Sequence, residues 1–261
     1  MARGFIFLLL SFLLLSFVFG CGSGASSTAS TAAPSPALPS HFLTEASGAT
    51  SLPRSDAVCA SAITPTTAEA RPDNSQANGT VVTPQWANDS ENKYPLWVVK
   101  RNQVTGNFTG TTTEILQWAA CKWGIEEDLI RADAAQESKW HQSTVSDDCG
   151  VPGEASYGIL QIKNLDCSGA PIHGGYPQTQ QSTALNADWW AAHIRSCYDG
   201  DFQGLLYNGQ TPAQLAAGNG WDYVLWGCIG FHFSGDWDPT QQYVGQVQQI
   251  LANKPWLQPG F

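Results

Sequence analysis

The chain has 261 residues, 43% of them hydrophobic, and 22 acids against 12 bases give a formal charge of −10. Such a composition can fill a core and excludes wholesale disorder. An acid excess without a basic run argues against nucleic acid as a partner, because phosphate binding needs clustered Lys and Arg. Only 13% of residues are charged, while 11 are tryptophan, a ring that packs cores and stacks on flat apolar faces.

In chain order the first element, residues 1–20, is an export signal. Arg3 precedes an apolar run, Phe5–Phe19, interrupted only by Ser11 and Ser16. At ~1.5 Å per residue the run spans about 22 Å, short of the ~30 Å bilayer core. Val18-Phe19-Gly20-Cys21 resembles a bacterial lipobox. It implies a lipidated Cys21 and an anchor on the extracytoplasmic side of a membrane, stable if several acyl chains are attached. Residues 21–60 read as a tether, since from Gly22 to Ser40 every residue except Leu38 is Gly, Ser, Thr, Ala or Pro. Residues 61–103, with Pro65, Pro72, Pro84 and Pro95, read as an extended lead-in wrapping the domain. Asn78, Asn88 and Asn107 open N-x-S/T sequons, which matter only in a glycosylating host.

Residues 104–261 read as a mainly α domain. Thr112 or Thr113 caps a helix over Glu114–Trp123 that stops at Gly124. A second begins near Glu126, turns Leu129, Ile130, Ala134 and Ala135 inward, and ends around Ser138–Trp140. The Gly- and Pro-rich stretch 141–180 reads as one long loop. Helical periodicity returns at 184–197, 212–217 and 221–228. A last helix, capped at Asp238-Pro239, runs through Tyr243, Val244, Val247, Ile250 and Leu251 to Trp256.

Beyond Cys21, the six cysteines Cys59, Cys121, Cys149, Cys167, Cys197 and Cys228 read as a disulfide set. Of the fifteen possible pairings, Cys149 with Cys167 is the first choice, a staple in a turn-rich stretch. His193 and Cys197 share a helical face and His173 lies elsewhere. Without a paired CxxC or an HExxH, neither a metal nor another cofactor is expected.

Glu137 is the candidate catalytic residue. It falls at the C-terminal end of an apolar helix, where the macrodipole disfavours a negative charge by ~0.3–1 kcal/mol, less than about one pKa unit. A larger rise needs burial against apolar groups, with Trp140 as a candidate wall. A carboxyl kept protonated near neutral pH is what a glycosidic general acid requires.

The surroundings strengthen the choice. Ala134-Ala135-Gln136-Glu137-Ser138-Lys139-Trp140, then Ser143 and Ser146, then Ser156-Tyr157-Gly158-Ile159-Leu160-Gln161-Ile162, resembles the lytic transglycosylase branch of the lysozyme-like superfamily. There a Glu-Ser pair ends a helix and a Gly-Leu-Met-Gln-type loop follows. Trp226-Gly227-Cys228-Ile229-Gly230 and Ser234-Gly235-Asp236-Trp237, followed by Tyr243 and Val247, look like the end of some members. The resemblance spans about Val104–Trp256. It implies a lysozyme-like α-helical domain with a long active-site loop, acting as a monomer on peptidoglycan glycan strands. It makes Glu137 the single catalytic acid and then base, with Ser138 orienting it. Trp140, Ser156, Tyr157, Gly158, Gln161, Trp237 and Tyr243 would contact substrate, Gln161 by hydrogen bonds to acetamido groups.

One departure stands out. The family's third motif, Ala-Tyr-Asn, brings a tyrosine to the catalytic glutamate, and here the chain reads Trp226-Gly227-Cys228, leaving Tyr157, Phe231, His232 or Tyr243 as stand-ins. Glycoside hydrolases usually pair two acids; Asp147, Asp148 and Glu154 are available, although an Asp-Asp in a loop more often caps turns. With one carboxylate, the family's route is attack by the muramyl C6 hydroxyl, giving a 1,6-anhydro end. With two, a hydrolytic muramidase results; an inactive wall-binding lipoprotein is a third reading. Trp140, Trp189, Trp190, Trp221 and Trp237 are candidates for sugar stacking or for the core.

Overall fold

A computed structural model describes residues 40–86, 89–150, 152–204 and 209–261. The export signal, Cys21, residues 21–39 of the tether and the sequon residue Asn88 lie outside the described residues. The chain is mainly α, as the periodicity implies. Among the described residues the helices are α1 (Asp56–Ala62), α2 (Ser75–Asn78), α3 (Pro95–Arg101), α4 (Thr112–Trp123), α5 (Glu127–Ser138), α6 (Gln178–Gln181), α7 (Thr183–Asp199), α8 (Pro212–Asn219), α9 (Trp221–Ser234) and α10 (Gln242–Asn253). A small antiparallel sheet, β1 (Val145–Ser146), β2 (Ser156–Tyr157) and β3 (Ile162–Lys163), punctuates the long loop in the order β1-β2-β3.

The centre of the fold is α7, buried from Thr183 to Tyr198 and packed on α3, α4 and α9. A helix enclosed on every side belongs to the core, and the charges it carries are satisfied there. Asp188, fully buried, accepts from Lys122 Nζ at 2.8 Å, Trp123 Nε1 at 2.6 Å and the Thr105 and Gly106 amides. Removing one partner from such a buried set leaves an uncompensated charge.

Local signals explain the flanking helices. Thr111 and Glu114 form a reciprocal capping box ahead of α4, and Gly124 ends it in the left-handed conformation. Glu126 caps α5 by accepting from the Asp128 and Leu129 amides. The last helix starts later than its sequence suggests, at Gln242, because the Asp238 carboxylate is engaged by Thr240 in a turn. α9 continues beyond Cys228 to Ser234.

Two boundaries need correction. Residues 40–60 are not tether: Leu43 is buried and bridges Ile125, the Thr44 amide donates to the Gly124 carbonyl, and α1 carries Cys59, bonded to Cys121. Nor is 61–103 merely extended, since α3 buries Trp97 edge-on against Trp189 and His193. The folded part thus includes residues well before 104. Its early anchors, Leu43, Cys59 and Trp97, are single residues too far apart to produce a periodic pattern.

The six cysteines pair as Cys59–Cys121, Cys149–Cys167 and Cys197–Cys228. Among the described residues no helix is long and apolar enough to cross a membrane.

Candidate functional site

A cleft of about 590 Å³ opens between the end of α5, the small sheet, α7 and the end of α9. Strand pairing sets Ser146 opposite Ser156 and Ser156 opposite Lys163, and this row lines one wall. Gln161 sits beside it with both ends of its amide engaged. Its Oε1 accepts from Ser146 Oγ at 2.6 Å and its Nε2 donates to the Gly158 carbonyl at 2.6 Å.

Glu137 reaches the cleft from the last turn of α5, its side chain 13% exposed. One turn earlier, Asp133 projects from the same helix face and is fully buried. Tyr243 of α10 joins them: its hydroxyl lies 2.7 Å from Asp133 Oδ1 and in short contact with Glu137 Oε1. A phenol has one proton to donate, so it can serve as donor to only one of the two carboxylates at a time. Burial, then the neighbouring Asp133 charge, pushes the Glu137 carboxyl up to about 8, against the Tyr243 bond, which favours the carboxylate. Burial also raises Asp133, and it raises the Tyr243 phenol well above its ordinary value. His232 stands 3.7 Å from Glu137 and 3.9 Å from Asp133. Burial first, then His193 and His173, lower His232 to about 3, so it is neutral and no cation there draws the proton from Glu137. A proton is thereby held on a carboxyl that faces solvent only through the cleft, the arrangement a general acid needs.

The remaining sequence-derived candidates divide. Ser156, Gln161 and Glu137 line the cleft. Tyr243 supplies the hydroxyl beside Glu137, as one of the four proposed stand-ins. Its ring is stacked 4.3 Å from Phe233, an exposed side chain at the cleft margin. Ser138 does not touch the Glu137 carboxyl: its hydroxyl donates to the Ile159 carbonyl at 2.8 Å and to Ala134, tying the helix end to the Gly158–Gln161 turn. Trp140 is neither wall nor sugar platform. Left-handed Lys139 and Trp140 (φ 52° and 67°) carry the ring into the core beside Trp256 and Phe261, its Nε1 donating to Arg131. Tyr157 is buried against Tyr176 and accepts from the Gly153 amide, while Trp237 covers Gly227 on α9 beside Tyr223; neither lines the cleft. Gly158 acts through backbone space. At φ 84° a Cβ would lie 2.4 Å from Asn186 Nδ2, the amide that bonds the Tyr157 carbonyl.

Of the spare acids, Asp148 caps a turn through the Gly150 amide and Glu154 is buried away from the cleft. Asp147 is different. It lines the cleft, accepts from Ser156 Oγ at 3.2 Å, has Lys163 Nζ 4.0 Å away, and adds to the upward push on Glu137. Of the tryptophans, Trp189 reaches the cleft margin, but both it and Trp190 are fully buried.

Sequence reasoning missed Asp133, four residues before Glu137 and legible as its helical neighbour, and also Glu91. Glu91 enters the same cleft with His173 and His193. Among the described residues two groups have donor atoms mutually within 4.8 Å: Glu91–His173–His193 and Asp133–Glu137–His232. A ligand pair of His193 with Cys197 is closed off because Cys197 is bonded to Cys228. Burial notwithstanding, the two imidazoles hold Glu91 below the usual carboxylate range, and Glu91 in turn raises His173.

Compared with known proteins, the chain matches no family model and no curated protein sequence.

Proposed function

We propose that the chain cleaves the MurNAc-β-1,4-GlcNAc bond of peptidoglycan as a lytic transglycosylase, with Glu137 as acid and then base. One observation carries the reading: a carboxyl at a helix end, kept protonated by burial and by Asp133 and open only to a cleft beside the Gly158–Gln161 turn. In this route Glu137 gives its proton to the glycosidic oxygen as the bond from the muramyl C1 breaks. The substrate's own acetamido oxygen holds C1. The Glu137 carboxylate then takes the proton of the C6 hydroxyl as that oxygen closes on C1 and the acetamido is released. Atoms balance without water and Glu137 ends protonated, ready for another turn. Tyr243 steadies the carboxylate in the middle of the cycle, when its charge is exposed to the cleft. We further propose that Cys21 is lipidated, so that the domain works at the outer side of a membrane.

A second reading rests on Asp147. A carboxylate in the same cleft is what a hydrolytic muramidase would use to hold a water or a developing cation. Digestion of cell-wall sacculi followed by mass analysis separates the readings. A transglycosylase releases muropeptides one water lighter than their hydrolysed counterparts and resistant to borohydride, and Glu137→Gln abolishes release by orders of magnitude. Quantitatively reducible ends favour the muramidase, and absence of wild-type turnover removes both.

A further inference from the structure

We propose that Glu91, His173 and His193 form a binding site for one first-row divalent transition-metal ion, with Zn²⁺ as the natural fit and an open coordination position facing the cleft. The three side chains come from separate elements and are fixed before any ion arrives. Glu91 lies in a 3₁₀ turn (Ser90–Lys93) whose cap, Asp89, accepts from the Glu91 amide at 2.8 Å and is itself paired with Arg101 at 2.6 Å. Ser90 donates both its amide and its hydroxyl to the Ile172 carbonyl, which brings His173 alongside. His193 projects from α7 between the rings of Trp189 and Phe231, stacked at 4.6 and 5.1 Å.

The donor geometry suits an ion better than it suits the side chains alone. His193 Nε2 lies 3.2 Å from Glu91 Oε1, and His173 Nδ1 lies 3.4 Å from Glu91 Oε2. Zinc–nitrogen and zinc–oxygen bonds of about 2.0–2.2 Å at tetrahedral angles put neighbouring donors about 3.3–3.6 Å apart. The second contact is not a hydrogen bond: His173 Nδ1 and Glu91 Oε2 are both buried and have no hydrogen-bond partner. Buried polar atoms almost always find partners, and a shared cation would satisfy both at once. Two imidazoles and a carboxylate select a borderline ion, whereas Ca²⁺ and Mg²⁺ want all-oxygen shells. Three protein ligands leave a position that the cleft supplies, open to water or to a carboxylate or carbonyl oxygen of a bound ligand. The other cluster, Asp133–Glu137–His232, is the weaker candidate because the Tyr243 hydroxyl already bridges its two acids.

The test uses the untagged full chain, stripped with a chelator and dialysed against Zn²⁺, with metal counted by elemental analysis and affinity measured by chelator competition. The expected result is one Zn²⁺ per chain. Glu91→Gln and His173→Gln should each weaken binding by about a hundredfold or more, beyond the roughly 10–100-fold that loss of an outer-shell partner costs, while Glu137→Gln binds as wild type. Co²⁺ substitution should give the visible bands of a tetrahedral site, and His173→Gln should lose them. His173 is 15% exposed, so this variant keeps the test alive if the buried Glu91→Gln does not fold. Substoichiometric binding by wild type, unchanged affinity in His173→Gln, or loss of binding in Glu137→Gln would each overturn the site.

Discussion

Tyr243→Phe removes one oxygen and little else, since the ring stays stacked on Phe233. That oxygen touches both acids, and its bond to Glu137 favours the carboxylate, opposing the burial that raises the pKa. A hydrogen bond to a charged acceptor contributes ~1.5–3 kcal/mol, and 1.36 kcal/mol is one pKa unit, so its loss raises Glu137 by about 1–2 units. The proposed reaction starts from protonated Glu137, so wild-type activity should fall as pH rises through about 8. In the variant that alkaline limb moves to higher pH, although the limiting rate below it drops some 10–100-fold because the carboxyl is less well held. Initial rates of muropeptide release from sacculi across pH 5–10.5 would show both effects. A limb that stays in place or moves to lower pH refutes the claim that this hydroxyl stabilises the Glu137 carboxylate; an unchanged limiting rate refutes its positioning role.

The raised Glu137 pKa also has a cost in stability. The unfolded chain releases this proton near the ordinary 4.5 and the folded chain near 8, so stability is lost progressively between those values and the loss is complete above them. Glu137→Gln should therefore match wild type in thermal melts near pH 4 and exceed it by on the order of a few kcal/mol above pH 8, whatever it does to activity. Asp148→Asn should leave glycan cleavage within about twofold of wild type, because Asp148 only caps a turn. Asp147→Asn discriminates: a modest change, under about tenfold, accords with a transglycosylase, and a loss beyond about a hundredfold with a muramidase. Gly230→Ala should destabilise by ~1–3 kcal/mol or more in denaturant melts, because its Cβ would lie 2.2 Å from the Asp238 carbonyl oxygen.

How much was legible in the sequence depended on the range of the interaction that decided each feature. α4 announces itself through its apolar run and Gly124, although its cap is Thr111 and not Thr112 or Thr113, which already lie inside the helix, and α5 announces itself through its apolar face. Glu137 is legible as a candidate because its helix-end position is local. Asp133 was equally local, a single turn away, and needed only the helical face to be read for acids as well as for apolar residues. Tyr243 could be narrowed to one of four residues and no further, since 106 positions separate it from Glu137 and only the docking of α10 on α5 joins them. Trp140 misled for another reason: helical periodicity assumes the chain continues right-handed, and two left-handed residues send the ring the opposite way. The cluster of Glu91, His173 and His193 was hidden because its members lie on three elements without a shared motif.

Access to reducing agents differs sharply among the three cystines. Cys59, Cys197 and Cys228 have no exposed surface, whereas Cys149 and Cys167 both lie at the surface beside the cleft. The ring that Cys149–Cys167 closes contains Ser156, the Gly158–Gln161 turn and Lys163, most of one wall of the cleft. A mild thiol therefore reaches the wall before the body. As the protein enters a reducing milieu, the ring opens first, its boundary slackens, and the helices stay cross-linked around α7. The proposed activity and the fold would then fail in sequence, the first lost in a molecule whose circular dichroism still looks native.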